Sequence, residues 1–380
     1  MGSVLAQVKT AREWRDEAKY NPFNSDKGLT YCGFYVQLVD WFQGKGALPP
    51  PVEVNLDIMA HCNLDCYYCI TQSYLKHHRE RIGNMIMLPL DYMLKLVDFL
   101  AAWGVKGLCI SGGGEPTLHK DLPQLVNYAK DKMEVAVVTN ATRLFDEFLY
   151  CRWVAFSVDA SCDSTYQKIK RGDRFHQVIK NIESLAIKRR AISSRRGESV
   201  DLCFKFLVLP ENQYEIFDAC RLAKELGVQD FHVRPCDLQR QDMPDGHPLS
   251  IDIAAVHEQY EKCHQLETEQ FRVFTVQHKF DAQFHVKYDY KSCWAAPLVL
   301  PILQDGNAYI CVEHKMEESY RLVSCFPEPA KILDWWGKDA HRRMLQSIVP
   351  PRDCSRCVYS QYNKQVEQVI LRDGMCRSFP

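Results

Sequence analysis

No apolar run in this chain approaches the roughly 18 residues that a membrane-spanning helix needs, so no segment reads as a spanning helix. The start, MGSVLAQVKTAREWRDEAKY, carries charges where a secretory leader needs an apolar stretch. Both absences lead us to expect a cytoplasmic protein with no membrane partner. Net charge is nearly absent as well: 47 Lys and Arg stand against 48 Asp and Glu, leaving −1 at pH 7. Such a balance offers no field for a polyanion, and nucleic acid is not expected as a partner. Internal repeats and low-complexity segments are also missing, which leaves an ordinary globular chain. Its 380 residues suffice for a full core and more than one domain. What the chain has in excess is cysteine. The 17 cysteines, an odd number scattered through strand-like and helix-like segments, suit a reducing compartment and metal-bound thiolates better than a disulfide framework.

Three of them define the stretch around which the rest is organised. In VEVNLDIMAHCNLDCYYC, residues 52–69, an alternating apolar run leads directly into Cys62, Cys66 and Cys69, spaced C-x3-C-x2-C. A disulfide would leave one sulfur over. Three soft ligands on a short loop suit a four-iron cluster with one iron left free of protein, able to chelate a small molecule. A structural zinc site is the alternative and wants a fourth Cys or His, with His61 adjacent. Farther on, ISGGGEPTL places Gly112, Gly113 and Gly114 before Glu115. Three glycines make either a tight turn or a backbone free of Cβ that a ligand can approach closely.

Strand-like runs at 52–60, 105–111, 133–139, 152–159, 200–209 and 228–235 alternate with helical stretches such as LPLDYMLKLVDFLAAWG and DLPQLVNYAKDK. This pattern predicts repeated βα units and a mostly parallel sheet. Ligand sites in such folds lie at the C-terminal ends of the strands, where Cys62, Gly113, Asn140, Asp159 and Arg234 all fall. Residues 1–51 read as a helical extension. Phe34, Leu38 and Trp41 lie at helical spacing and predict an amphipathic helix packed on the main domain. Pro49 to Pro51 form a stiff spacer, and Cys32 reads as a core thiol. KHHR at 76–79, SSRRGE near 195 and QRQDMPDGHPLS near 245 read as loops, and the composition changes near Phe280. The expected units are therefore 1–51, 52–280 and 281–380.

Single residues carry two readings each. Asn140 is a turn residue or a ligand contact. Lys205 and Arg234 interrupt apolar strands, where an unpaired buried cation is costly and a carboxylate ligand inside the barrel would satisfy either. Arg171 is a binding residue or a solvated helix end. Cys109, Cys151, Cys203, Cys220 and Cys263 sit in periodic segments and read as core. In the tail, QDGNAY is a hairpin turn that brings Cys293 and Cys311 together, and PRDCSRC adds Cys354 and Cys357, with Cys325 and Cys376 nearby. Two pairs of thiolates also make a tetrahedral zinc site.

In these motifs the chain resembles the radical S-adenosylmethionine (SAM) superfamily. The cysteine loop, with the aromatic Tyr68 before its last cysteine, is similar to that family's cluster loop, and Gly112 to Pro116 resemble its second-strand motif. The tail resembles the twitch, the shortened form of the SPASM auxiliary-cluster domain, since Asn363 and Glu367 stand where the longer form would carry further cysteines. The resemblance implies an α/β fold: a partial (β/α)6 TIM-like barrel followed by a small β-hairpin plus helix auxiliary-cluster domain. It implies a [4Fe-4S] cluster on Cys62, Cys66 and Cys69 that binds SAM, and one auxiliary [4Fe-4S] cluster on Cys293, Cys311, Cys354 and Cys357, with Cys376 a weaker candidate. Implied contacts to SAM are Tyr68, Gly113, Gly114, Glu115 through the cofactor's ammonium, Asn140, Ser157, Asp159, Arg171, Lys205 and Arg234. The implied activity is reductive cleavage of SAM to a 5'-deoxyadenosyl radical, fed by a one-electron reductant such as flavodoxin or ferredoxin. The radical would take hydrogen from a small-molecule substrate, polar and sugar- or cyclitol-like, in a net oxidation with the auxiliary cluster as electron acceptor. The alternatives are a peptide-modifying or redox-neutral (epimerase- or lyase-type) radical enzyme and a structural metal-binding protein.

Overall fold

The computed structural model describes residues 30–69, 71, 87–196, 200–236, 251–276, 288–354 and 357–371. The KHHR and QRQDMPDGHPLS runs, the boundary at Phe280 and Cys376 lie outside the described residues. One ten-stranded sheet runs through the molecule. Its first six strands are β1 (Glu53–Asp57), β2 (Gly107–Ser111), β3 (Glu134–Thr139), β4 (Trp153–Ser157), β5 (Asp201–Val208) and β6 (Asp230–Pro235), each within an expected run. A seventh, β7 (Arg272–Thr275), pairs parallel with β6. All seven are parallel and lie in chain order.

The two-residue period of these strands divides the sheet into two unlike faces. One carries Val54, Leu56, Leu108, Ile110, Val137, Val154, Phe156, Phe204, Phe206, Phe231 and Val233, all buried in the hydrophobic core. Helices Leu90–Trp103, Leu122–Ala129, Ile216–Leu226 and Ile253–His264 supply the other half of that core, through Leu96, Leu125, Ile216 and Tyr260 among others. The opposite face holds Asn55, Asp57, Ser111, Ser157, Lys205 and His232, paired across strands as Asp57↔Ser111, Ser157↔Lys205 and Lys205↔His232. A face this polar lines a lumen. The expected loop near 195 begins later than the sequence implies, because the helix Phe175–Arg196 runs through its first four residues.

The tail joins the same sheet. Strand β8 (Val299–Ile302) pairs parallel with β1, β9 (Asn307–Tyr309) returns antiparallel, and β10 (Arg321–Ser324) adds antiparallel to β9. Gly306 turns the hairpin with φ +76°, and a Cβ there would stand 2.4 Å from the Phe326 side chain. The N-terminal helix, Cys32–Phe42, forms where Phe34, Leu38 and Trp41 predict it, and its apolar side joins the core and meets the tail. Trp41 Nε1 donates to the Gly337 carbonyl at 2.7 Å, and the rings of Phe42 and Trp294 stack edge-on at 4.9 Å. The aromatic stripe of the helix finds its partners among the tail's own aromatics. Cys32 lies on the outward side and is exposed, contrary to the core reading, whereas Cys109, Cys151, Cys203, Cys220 and Cys263 are buried.

Candidate active site and tail cysteine site

The chain leaves β1 and enters the cysteine loop, where Cys69 N donates to Cys66 O at 3.1 Å and closes a tight turn. Cys62, Cys66 and Cys69 line one cavity of about 270 Å³ together with Gly112, Gly113, Gly114, Glu115, Asn140, Ser157, Lys170 and Arg234. Neighbouring strand ends hold the loop in place. Gly114 N donates to Met59 O at 2.7 Å and Glu115 N to His61 O at 2.8 Å. Asn140 Nδ2 donates to Asn63 Oδ1 at 2.9 Å, and Asn63 Nδ2 to Thr142 Oγ1 at 2.9 Å. A Cβ on Gly114 would sit 2.1 Å from His61 O, and one on Gly112 would sit 2.3 Å from Gly114 O. Those two glycines are needed by the chain's contact with itself. Gly113 has more room, its nearest neighbour being Gln304 Oε1 at 3.2 Å from such a Cβ, so close ligand approach narrows to this residue.

Glu115 is buried and richly bonded. Its Oε1 accepts from Thr117 N, Thr117 Oγ1 and Thr139 Oγ1, while Oε2 accepts from Asn140 N alone at 2.8 Å. Burial lifts its carboxyl above the usual range against these donors. A carboxylate oxygen has two lone-pair sites, so Oε2 keeps acceptor capacity on the cavity wall. Tyr68 is held by a buried group that sequence reasoning missed. Its hydroxyl donates to Asp159 Oδ2 at 2.5 Å, and Lys170 Nζ donates to both oxygens at 2.5 Å. Burial pulls the Lys170 amine down, but the Asp159 carboxylate beside it prevails and holds it above the ordinary lysine range.

Three expected contacts do not line the cavity. Asp159 stands behind the wall, its Oδ1 taken by Leu207 N at 2.7 Å and its Oδ2 by Tyr68 and Lys170. Arg171 follows a helix end with φ +53° and turns to the surface, 3.6 Å from Asp65. Lys205 is not in the cavity wall but pairs with Ser157, one pleat before Leu207, on the face that also carries His232. The only hint of Lys170 in the sequence is that Asp159, on a buried turn, needs a counter-charge.

In the tail, Cys293, Cys311, Cys354 and Cys357 line a second, enclosed cavity of about 20 Å³ with Glu313, His314 and Asn363. Asn363 Oδ1 accepts from Trp294 N at 2.5 Å and Ala295 N at 2.8 Å, and its Nδ2 points to Cys357 Sγ at 3.7 Å. Glu367 accepts from Lys291 N at 2.9 Å and from Ser292 N at 3.1 Å. The two residues that occupy the places of further cysteines therefore brace the Cys293 segment. His314, also missed, is buried with Nε2 3.4 Å from Cys354 Sγ and Nδ1 3.0 Å from Glu317. Cys325 is buried and does not line this cavity. Next to His314, Lys315 reaches into the lumen and donates to Asp57 Oδ1 at 2.9 Å and Asn55 Oδ1 at 2.5 Å.

The donor sets suit iron–sulfur clusters in kind. Burial raises the free thiol of Cys62 to about 12 and that of Cys66 to about 11, and lifts Cys293, Cys311 and Cys354 well above the ordinary range. Such thiols become stable anions only on binding a metal. Among the described residues no three His, Cys, Asp or Glu side chains converge tightly enough to hold a single metal ion. A four-iron cluster is larger than one zinc ion and spreads its thiolates farther apart.

Comparison with known proteins agrees with the geometry. Residues 56–191 match the family model of the radical SAM superfamily. The chain is 32% identical over 140 residues to an S-adenosylmethionine-dependent nucleotide dehydratase of Lacinutrix mariniflava, covering 35% of this chain and 29% of that protein. It is 31% identical over 138 residues to a probable GTP 3',8-cyclase of Methanococcus maripaludis, covering 34% and 43%. The matched stretch thus spans less than half the length of either relative. Among solved structures, SuiB of Streptococcus suis bound to S-adenosylmethionine superposes with a TM-score of 0.59 at 17% identity, over 82% of this chain and 71% of that one. Native anSMEcpe with bound AdoMet gives 0.53 at 15% identity, over 84% and 95%. Both likenesses are of fold. The cysteine loop, the glycine strap and strands β2 to β4 all fall within the stretch that matches the radical SAM model.

Proposed function

We propose that this protein is an enzyme that binds a [4Fe-4S] cluster on Cys62, Cys66 and Cys69, cleaves SAM reductively and removes hydrogen from a small polar substrate in the barrel lumen, in a net oxidation. The observation that carries this reading is that the three cysteines, the glycine strap and Glu115 line one cavity at the strands' C-terminal ends. When bound, the cluster and SAM supply an electron and a 5'-deoxyadenosyl radical, the difficult chemistry that the protein itself cannot provide. The chain's own share is placement. Glu115 Oε2 is free to accept from the cofactor's ammonium, Gly113 lets it lie close to the backbone, and Arg234 lines the same cavity as a cation for its carboxylate. Lys170 and Asp159 lock Tyr68 beside the cluster loop and exclude water from that wall. Cys293, Cys311, Cys354 and Cys357 would hold a second, twitch-like [4Fe-4S] cluster. If each of the four cysteines binds one iron, the cluster would keep no open position for substrate and could serve as an electron acceptor, which is why oxidation is proposed over a redox-neutral outcome. A flavodoxin or ferredoxin is the expected reductant.

Anaerobic reconstitution followed by dithionite and SAM tests the core of this reading. The intact chain should hold about eight irons and release 5'-deoxyadenosine, and a Cys62→Ala, Cys66→Ala, Cys69→Ala variant should keep about half the iron and release none. 5'-Deoxyadenosine formation by the triple variant would remove the assignment.

A further inference from the structure

We infer that Lys205 anchors an anionic group of the substrate, a phosphate or a carboxylate, in the lumen beneath the cofactor cavity. The inference rests on the radical SAM reading and adds a substrate class to it. Register fixes the place of the residue: Ser157 pairs with Lys205 and Leu207 with Arg234. Ser157, Leu207 and Arg234 all line the cavity, so the Lys205 side chain shares their face, beside Ser157 and one pleat before Leu207 and Arg234.

The other lumen and wall charges have partners within the chain. Asp57 is matched by Lys315 at 2.9 Å, Asp159 by Lys170 at 2.5 Å, and Glu115 by four donors. The Lys205 side chain makes no hydrogen bond or ion pair with any described residue. Burial, and then the nearby Arg234, pull its amine below the ordinary lysine range, which is the mark of a cation set where its charge is not compensated. Gln304, which follows β8, supplies an independent observation. It is fully buried, both its amide atoms lack partners, and its Oε1 lies 3.2 Å from the place of a Cβ on Gly113. An uncompensated cation on the lumen face and an unsatisfied amide beside Gly113 are costly unless a ligand answers them. The cofactor's own carboxylate has Arg234 on the cavity wall, which leaves Lys205 to a molecule lying deeper. A sugar- or cyclitol-like substrate bearing a phosphate or carboxylate has that chemistry.

The test uses the full chain, reconstituted anaerobically and saturated with SAM, titrated calorimetrically with pyrophosphate and, separately, with succinate. One of these anions should bind, pyrophosphate pointing to a phosphate-bearing substrate and succinate to a carboxylate-bearing one. Lys205→Gln should weaken that binding by about tenfold or more, Lys205→Arg should hold it within about threefold, and SAM affinity should stay within about twofold in both. Arg rescue keeps the test decisive should Lys205→Gln fail to fold. A tenfold loss of SAM affinity with anion binding unaltered would return Lys205 to the cofactor and overturn the inference. So would an intact chain that binds SAM but neither anion at about 10 mM, a free energy near the weakest specific contacts. Failure of the intact chain to bind SAM at all would instead bring down the enzyme reading beneath it.

Discussion

The two cysteine sites of this molecule differ in a way that separates their work. At the barrel mouth, three cysteines share a cavity of about 270 Å³ with a strap of glycines and a carboxylate that has acceptor capacity to spare. In the tail, four cysteines close around about 20 Å³, with His314, Glu313 and Asn363 among the other wall residues. One site brings three cysteines to a roomy cavity, while the other brings four to a tight one. An open metal position goes with substrate or cofactor binding, and a closed one with structure or electron transfer. Both loops are nonetheless held alike, by side-chain amides reaching across from a neighbouring element: Asn140 to Asn63 at the mouth, and Asn363 to the backbone after Cys293 in the tail.

The largest expected effect tests whether that division is real. A soluble Cys354→Ala, Cys357→Ala variant should still yield 5'-deoxyadenosine in the presence of substrate but fail to form oxidised product. Full product formation would move the tail to a structural role. Next comes Lys170→Met, which leaves Asp159 buried without its counter-ion and should cost about 3–5 kcal/mol in denaturant unfolding. Tail iron should be retained, and a Lys170→Met, Asp159→Asn double variant should recover part of the loss. Asn363→Ala strips the acceptor from Trp294 N and Ala295 N and should cost about 1–3 kcal/mol. It should lower iron in the tail and leave SAM affinity at the mouth unchanged, with Asn363→Asp closer to the parent. Equal damage at both sites would show that they are not independent. The smallest effect is on acid tolerance. Burial depresses His341 from 6.5 to about 3, so the folded state resists a proton that the unfolded chain accepts. Its contribution is whole above about pH 6.5 and is lost as pH falls toward 3, at about 1.4 kcal/mol per pH unit. His341→Gln should flatten that part of the stability profile, read from unfolding midpoints at pH 7 and pH 5.

What the sequence made legible was local. The first six strands stand out because alternating or continuous apolar runs end in motif residues, and the cysteine sets show through close spacing at 62–69 and 354–357 and the hairpin between Cys293 and Cys311. What stayed hidden depends on contacts between distant residues. Lys170 and Arg171 are neighbours in KIKRGD and look equally solvated, yet the end of the helix Asp163–Lys170 turns one to Tyr68, 102 residues away, and the other to the surface. Asn363 and Glu367 read only as cysteines that are missing, because their hydrogen bonds run to backbone some 70 residues earlier. The N-terminal helix was visible as an amphipathic stripe, but a stripe does not name its partner. The triple glycine suggested a ligand, and two of the three turn out to be required by the chain's own close contacts.

The central place of β1 in the sheet bears on biosynthesis. Strand β1 takes β2 on one side and β8 on the other, and β8 belongs to the tail. A nascent chain elongating at about 5–20 residues per second keeps one edge of β1 open for some tens of seconds, offering unpaired N–H and C=O groups to any passing strand. A truncation that ends before Val299 keeps that edge open for good and should aggregate even with all seven parallel strands present. The first strand to be made waits longest for its second neighbour.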